Sequence, residues 1–346
     1  MIPVKAYAAY DAATPLKPYD FDRREPGPND VLIDIKYCGV CHSDLHIAKN
    51  DLGRTRYPLV PGHEIVGIVS KVGSGVTAHR AGDRVGVGCL VESCRHCAEC
   101  VQGEEQFCPK SVGTYNGKTS DGLPTQGGYS TRVTVDQHFV LKIPDALPLD
   151  AAAPLLCAGI TTYSPLRTWK VKPGDKVGVI GLGGLGHMAV KLAAAMGAEV
   201  TVISTSDRKK ADAMRFGAKD FLVSRDPEAM KAAAARFDLI LNTVSVASEL
   251  DAQVNLLARD GTMVMLGLAT EAMPVHSLPL LWKRRRIAGS PIGGIRETQE
   301  MLDFCAAHGI TSEIETIRMD QINEAYERML KSDVRYRFVI DMASLG

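Results

Sequence analysis

The sequence predicts an α/β protein in two parts, a β-rich, barrel-like domain over residues 1–150 and a doubly wound parallel sheet over residues 151–289. Three observations predict it. Short β-branched runs bounded by Pro, Gly and Asn fill the first part, with few helical periods. Strand-like and helix-like runs alternate in the second, the pattern of parallel strands joined by crossover helices. A glycine-rich turn, Gly181-Leu182-Gly183-Gly184-Leu185-Gly186, stands between one such strand and the next helix. Residues 290–346 are too few for a domain of their own and are expected to return to the first part.

In the first part, Val31–Ile35 and Ile65–Val69 read as strands, and Gly73, Gly75, Gly82, Gly86 and Gly88 mark tight turns or close backbone approach. Between those strands lies Cys41-His42-Ser43-Asp44-Leu45-His46, followed further on by Gly62-His63-Glu64. Thiolate, imidazole and carboxylate are the ligand types Zn2+ accepts, and a catalytic zinc keeps one position open. Local spacing does not bring Cys41 to His63, and Cys38-Gly39-Val40-Cys41 also reads as a redox dithiol. Cys94, Cys97, Cys100 and Cys108 follow as C-x2-C-x2-C-x7-C. Four thiolates at that spacing predict a closed, structural zinc site. The last gap is too long for the bacterial ferredoxin run, despite Cys108-Pro109.

In the second part, Asp175–Ile180 is a buried strand, the glycine turn follows at once, and His187–Met196 is an Ala-rich helix stopped by Gly197. Placed between strand and helix, G-x-G-x-x-G reads as a dinucleotide fingerprint: its backbone lets a pyrophosphate approach, and the helix N-terminus attracts the charge. Glu199–Ser204 is the next strand, Asp207–Phe216 the next helix and Gly217 its stop; Phe237–Val244 and Gly261–Leu268 are further strands. In such folds the second strand ends in an acid that binds the adenosine ribose. Here it ends in Ser204-Thr205-Ser206, with Arg208, Lys209 and Lys210 beyond. Small hydroxyls and cations suit a 2′-phosphate, so NADP(H) is expected over NAD(H). Asp207, three residues past Ser204, reads as the helix N-cap rather than as the ribose acid. In the tail, Glu297–His308 and Gln321–Lys331 read as amphipathic helices and Arg337–Met342 as a closing strand.

The 346 residues suffice for two cores, and 45% hydrophobic with 23% charged residues is ordinary for a globular protein. Forty basic residues balance forty acidic ones, which argues against nucleic acid or an anionic membrane as the main partner. Met1-Ile2-Pro3-Val4-Lys5 lacks the apolar run of a secretory signal, and Lys191 breaks the longest apolar candidate span. A cytoplasmic protein without membrane partners is expected, so the nine cysteines point to metal rather than disulfides.

Gly62-His63-Glu64-x2-Gly67-x5-Gly73-x2-Val76, the four-cysteine lobe, Gln126-Gly127-Gly128-Tyr129 and the fingerprint together resemble the zinc-dependent medium-chain alcohol dehydrogenases, and within them the cinnamyl alcohol dehydrogenase branch. The resemblance spans nearly the whole chain. It implies a GroES-like catalytic domain, a Rossmann domain and a cleft between them. It implies catalytic zinc ligands Cys41, His63 and Cys157, with Cys157 at the start of the second domain. Glu64 becomes an alternate fourth ligand, and Asp44 the partner that orients His63. Zinc would act as a Lewis acid on the oxygen of an alcohol or aldehyde that exchanges hydride with the nicotinamide. Ser43 and His46 would relay the proton, bridged by the cofactor ribose. Further cofactor contacts are implied at Ser43, Thr161, Thr243, Gly267, Ser290, Pro291 and Ile292.

Two positions depart from the plant members of that branch: Gly113 stands where they carry tryptophan, and Pro291 where they carry phenylalanine. Both line the family's substrate pocket, so a broad aldehyde reductase is expected rather than an enzyme dedicated to lignin precursors. The other readings are an inactive structural or metal-binding relative, a thiol redox protein, and a polyol or formaldehyde dehydrogenase. A homodimer through the Rossmann sheets is expected, using Met263-Val264-Met265-Leu266 and Leu278 to Trp282.

Overall fold

Asp30–Gly39 is buried along most of its length, with Val31, Ile33 and Cys38 inaccessible, which only a central strand achieves. In the computed structural model, which describes residues 1–246, 250–269 and 271–345, this strand anchors a seven-stranded sheet. One edge pairs antiparallel with Ile65–Val72, from which the sheet continues to Arg84–Val87 and Leu141–Lys142. Its other edge takes Arg132–Asp136 near its start and Arg337–Asp341 at its end. The pairs Val339 with Gly39 and Ile340 with Cys38 return the C-terminal segment to the first part, as expected, and Ile314–Arg318 adds beyond it in parallel. The chain divides into two units, Met1–Ile160 with Gly293–Gly346, and Thr161–Ile292, so Cys157 belongs to the first.

The second unit is a six-stranded sheet, parallel throughout. In space its strands run Asp220–Val223, Glu199–Ser204, Lys176–Ile180, Phe237–Asn242, Leu257–Met265 and Arg286–Gly289. Numbered along the chain this is the order 3-2-1-4-5-6, the doubly wound arrangement that reverses beside the first strand. Its core packs Ile180, Ile203, Phe237, Ile240 and Met263 from neighbouring strands.

Two sequence expectations shift here. The fifth strand begins at Leu257 rather than Gly261, because Asp260, at φ +66°, and Gly261 bulge the strand without ending it. Asp207 is not a helix N-cap: it opens a 3-10 turn, Asp207–Lys209, with Ser206 in the capping position, and the α-helix runs only over Lys210–Arg215. The tail helices are Ile295–His308 and Ile322–Leu330. Among the described residues no helix is long and apolar enough to cross a membrane.

Candidate active site

The chain leaves Asp30–Gly39 and turns directly into the helix His42–Ala48, with Cys41 in extended backbone as its N-cap. Asp44, fully buried in the first turn of that helix, gathers the site. Its Oδ2 accepts from Cys41 N–H at 2.9 Å and Tyr129 OH at 3.3 Å. Its Oδ1 accepts from Gly62 N–H at 3.0 Å and His63 Nδ1 at 3.0 Å. A carboxylate only accepts, so His63 carries a proton on Nδ1, which leaves Nε2 as the ring nitrogen available to a metal. Gly62, at φ +104°, makes this approach, and its missing side chain leaves room for Tyr129 and the Cys38 thiol.

One donor atom each from Cys41, His63, Glu64 and Cys157 falls within 4.8 Å of every other, and all four residues are buried. Cys157 follows the 3-10 turn Ala153–Leu156, and its Sγ lies 4.0 Å from that of Cys41. Two thiolates on one tetrahedral zinc, with bonds of about 2.3 Å, stand about 3.8 Å apart. Contact with Cys157 holds Cys41 well below the ordinary thiol range, against burial and with help from the Arg337 charge. The same contact with Cys41, joined by Cys89 and burial, pushes Cys157 well above it. Two buried thiols this close ionise together only around a cation, so the donor set fits zinc.

Glu64 is held by a residue the sequence reading missed. Arg337 donates to Glu64 Oε1 from the returning strand, and both side chains are almost wholly buried. Burial raises the Glu64 carboxyl to about 7, with Arg337 pulling the other way. Glu64 Oε1 lies 4.0 Å from His63 Nε2, while Oε2 is buried without a hydrogen-bond partner. No local signal marks Arg337, because its partner is 273 residues away. The Cys41 thiol lies 3.7 Å from Ser43 Oγ. One helical turn on, His46 pairs through Nδ1 with Asp51 Oδ2 at 2.7 Å, and Asp51 was also missed. Cys38 is fully buried and its thiol donates to Gly39 O at 3.6 Å; burial raises its pKa well above the ordinary value, which leaves it unsuited to redox exchange.

The second cluster also closes. Cys94, Cys97, Cys100 and Cys108 bring their sulfurs within 4.8 Å of one another. Backbone N–H groups donate to two of them: Cys97 to Cys94 Sγ at 3.3 Å, Cys94 and Lys110 to Cys108 Sγ at 3.5 and 3.4 Å. Such donors favour thiolates, and that of His96 leads those that lower Cys94 to about 6. Glu105 ties this lobe to the helix Ile295–His308 of the same unit, accepting from Ile295 N–H and His138 Nε2, each at 3.0 Å.

In the second unit, Gly181 turns at φ +87° directly after Lys176–Ile180. A side chain on Gly186 would overlap Gly181 O, so the turn and the helix Gly186–Ala195 meet only through glycine. Thr243 Oγ1 donates to Ile180 O at 2.8 Å, holding the fourth strand's end against the turn. Lys209 Nζ reaches Leu182 O in the glycine turn at 2.9 Å, while Arg208 Nε lies 3.4 Å from Ser206 Oγ. Ser204 ends its strand half-buried, and Lys210 begins the following helix. Thr161 opens the second unit, and Ser290 donates its N–H to Met265 O at 3.4 Å.

An alcohol dehydrogenase GroES-like domain matches residues 27–145, and a zinc-binding dehydrogenase domain matches 184–307. The chain is 59% identical to NADP-dependent alcohol dehydrogenase C 1 of Mycolicibacterium smegmatis, over 100% of this chain and 99% of that one. Among solved structures it is similar to the cinnamyl alcohol dehydrogenase SbCAD4 of Sorghum bicolor, with TM-score 0.96 and 48% identity over 99% and 98% of the two chains. It is also similar to CAD from Helicobacter pylori complexed with NADP(H), with TM-score 0.93 and 44% identity over 99% of each chain.

Proposed function

The chain belongs to the zinc-dependent medium-chain alcohol dehydrogenases, and from that premise we propose that it exchanges hydride between NADP(H) and a broad range of primary alcohols and aldehydes. The observation that carries this reading is the convergence of Cys41, His63, Glu64 and Cys157 into one buried donor set. Those residues would hold a catalytic zinc, and Cys94, Cys97, Cys100 and Cys108 a structural one. Bound there, the catalytic ion supplies Lewis acidity to the substrate oxygen, and the nicotinamide supplies or takes the hydride. Asp44 orients the His63 ring, and Arg337 offsets the charge of the Glu64 carboxylate it pairs with. Ser43 passes the hydroxyl proton outward and His46 delivers it to water, with Asp51 holding the imidazole and sharing its charge.

Gly113 and Pro291 stand where the plant members of the cinnamyl alcohol dehydrogenase branch carry tryptophan and phenylalanine, which supports broad rather than lignin-precursor specificity. The protein works in the cytoplasm as a homodimer. Leu278, Leu281 and Trp282 support the dimer: they are 58%, 71% and 78% exposed along one short stretch of the second unit, and neighbouring exposed apolar side chains are what a protein–protein contact buries. Met263 and Val264 do not contribute, being fully buried core, and Arg286–Gly289 is the sheet edge that follows residues 278–282 in the chain. A Leu281→Asp, Trp282→Asp variant should elute as a monomer by light scattering at micromolar concentration, where the parent is a dimer. A monomeric parent sinks this part of the reading.

The reaction is tested with an aldehyde panel that includes benzaldehyde, against NADPH and NADH. NADPH should be oxidised with several aldehydes, and a zinc chelator should stop it. A protein that binds zinc but consumes no NADPH with any of them would be an inactive relative.

A further inference from the structure

We propose that Gln126 is a positioning residue for the catalytic metal site: its carboxamide stands beside residues 58–62 in place of a neighbouring strand, and so fixes the turn that delivers His63. The proposal rests on His63 belonging to the metal donor set of the reading above. The residues before His63 are poor in backbone donors, because Pro58 and Pro61 have no N–H. Leu59 exchanges hydrogen bonds with Ala9, at 2.9 and 2.8 Å, and Gly62 gives its N–H to Asp44 Oδ1. Val60 remains. It is inaccessible, and a buried N–H requires an acceptor. Gln126 Oε1 accepts it at 2.7 Å, where a strand would offer a carbonyl. The same side chain donates from Nε2 to Pro58 O at 3.0 Å. Val60 N–H only donates and Pro58 O only accepts, so the amide fits one way round. A donor and an acceptor in one plane are what a peptide group offers. A carboxylate at this position lacks the donor, and an apolar side chain lacks both.

Beyond the carboxamide the two stretches stay together as far as His63. Gly127 donates its N–H to Val60 O at 2.7 Å, Tyr129 to Pro61 O at 3.0 Å and Gly128 to Gly62 O at 2.9 Å. A side chain on residue 127 would overlap Pro61 O, so only glycine permits this approach. The stretch then reaches the site a second time. Tyr129 OH donates to Asp44 Oδ2 at 3.3 Å, and the other oxygen of Asp44 holds both Gly62 N–H and His63 Nδ1. Arg23 anchors the stretch from behind: one terminal nitrogen donates to Gln126 O, Gly127 O and Ser130 Oγ at 2.9, 3.1 and 3.1 Å. Gln126-Gly127-Gly128-Tyr129 contains no ligand, and these bonds give the motif its part, which is to hold the chain that carries one.

The test compares the parent with Gln126→Leu, which loses both bonds, and Gln126→Glu, which keeps the length and the acceptor for Val60 but not the donor. Cys41→Ala is the reference. Each protein is loaded with zinc, and separately with Co2+ at the catalytic site. Both Gln126 variants should lose the catalytic metal to a chelator roughly tenfold faster or more, the scale on which the partners of metal ligands act. They should also alter the cobalt absorption, while the metal of the four-cysteine lobe leaves at the parent's rate. Unchanged metal loss and spectrum in folded variants would overturn the proposal. Equal acceleration at both sites would overturn it too, because Gln126 would then support the whole unit rather than the site. If Cys41→Ala retains two metal ions, the donor-set reading falls and the proposal with it. If Cys41→Ala retains one and the Gln126 variants match the parent, the proposal alone falls. Should Gln126→Leu fail to fold, Gln126→Glu decides by the same measurements, and failure of both to fold overturns the proposal.

Discussion

Cys41→Ala should yield a folded protein that carries one zinc per chain in place of two and has lost at least about a thousandfold in kcat/KM, roughly 4 kcal/mol of transition-state stabilisation. The expectation follows from where Cys41 stands. Its thiol is one of four buried donors, and its contact with Cys157 is what makes two thiolates available to one cation. Alanine removes the thiol but keeps the backbone N–H that Asp44 accepts, so Asp44 still holds His63 and Tyr129 and the helix start survives. The same substitution at Cys97 should act differently. That site is closed by four thiolates in a lobe joined to the helix Ile295–His308 through Glu105, so losing one ligand loosens the lobe and lowers thermal stability. Elemental analysis of the two variants separates the cases. Two zinc ions retained in Cys41→Ala, or activity within tenfold of the parent, would exclude Cys41 as a ligand.

Ser204→Asp should reduce or reverse a cofactor preference that favours NADPH over NADH by at least about a hundredfold, roughly 3 kcal/mol. Ser204 ends the second strand of the parallel sheet, where an acid would bind the adenosine ribose. A carboxylate there repels a 2′-phosphate and accepts from a 2′-hydroxyl instead. Of the cations that follow, Lys209 is the one that reaches the glycine turn. Its ammonium bonds Leu182 O in the glycine turn that the proposed reading assigns to the cofactor's phosphates, whereas Arg208 extends along its own turn toward Ser206. Lys209→Ala should therefore raise KM for NADPH more than Arg208→Ala does. Steady-state kinetics with both cofactors decide this, and equal use of NADPH and NADH by the parent would remove the strand end as the reader of the phosphate.

The cysteine lobe and the fingerprint were legible in the sequence because each is local. Cys94 to Cys108 converge within one short loop, and Gly181 to Gly186 turn a single strand into a single helix, so spacing alone encodes both shapes. Hydrophobic period placed the strands for the same reason, since a strand's two faces are written in its own residues. It failed where a local signal was ambiguous. Asp260 and Gly261 read as a turn although the strand bulges past them, and Asp207 read as a cap although the chain first tightens into a 3-10 turn.

Cys41, His63 and Glu64 were legible as ligand types, but their joining with Cys157 and the part of Asp44 came only through the family pattern, and Arg337 and Asp51 were not legible at all. Cys41 and Cys157 are 116 residues apart, and Arg337 meets Glu64 across 273. The resemblance gave Asp44 one partner, His63, and the packed structure shows it taking four donors; Asp51 looks in sequence like any acid after a short helix, and only the packed structure shows it holding an imidazole. The sequence by itself determined the two sheets, the closed zinc lobe and the phosphate turn. The tertiary structure decided how Glu64 is held, because strand register brings Glu64 and Arg337 together. Backbone preference is a property of neighbours along the chain. Burial of a charge, and the partner it then requires, is a property of neighbours in space.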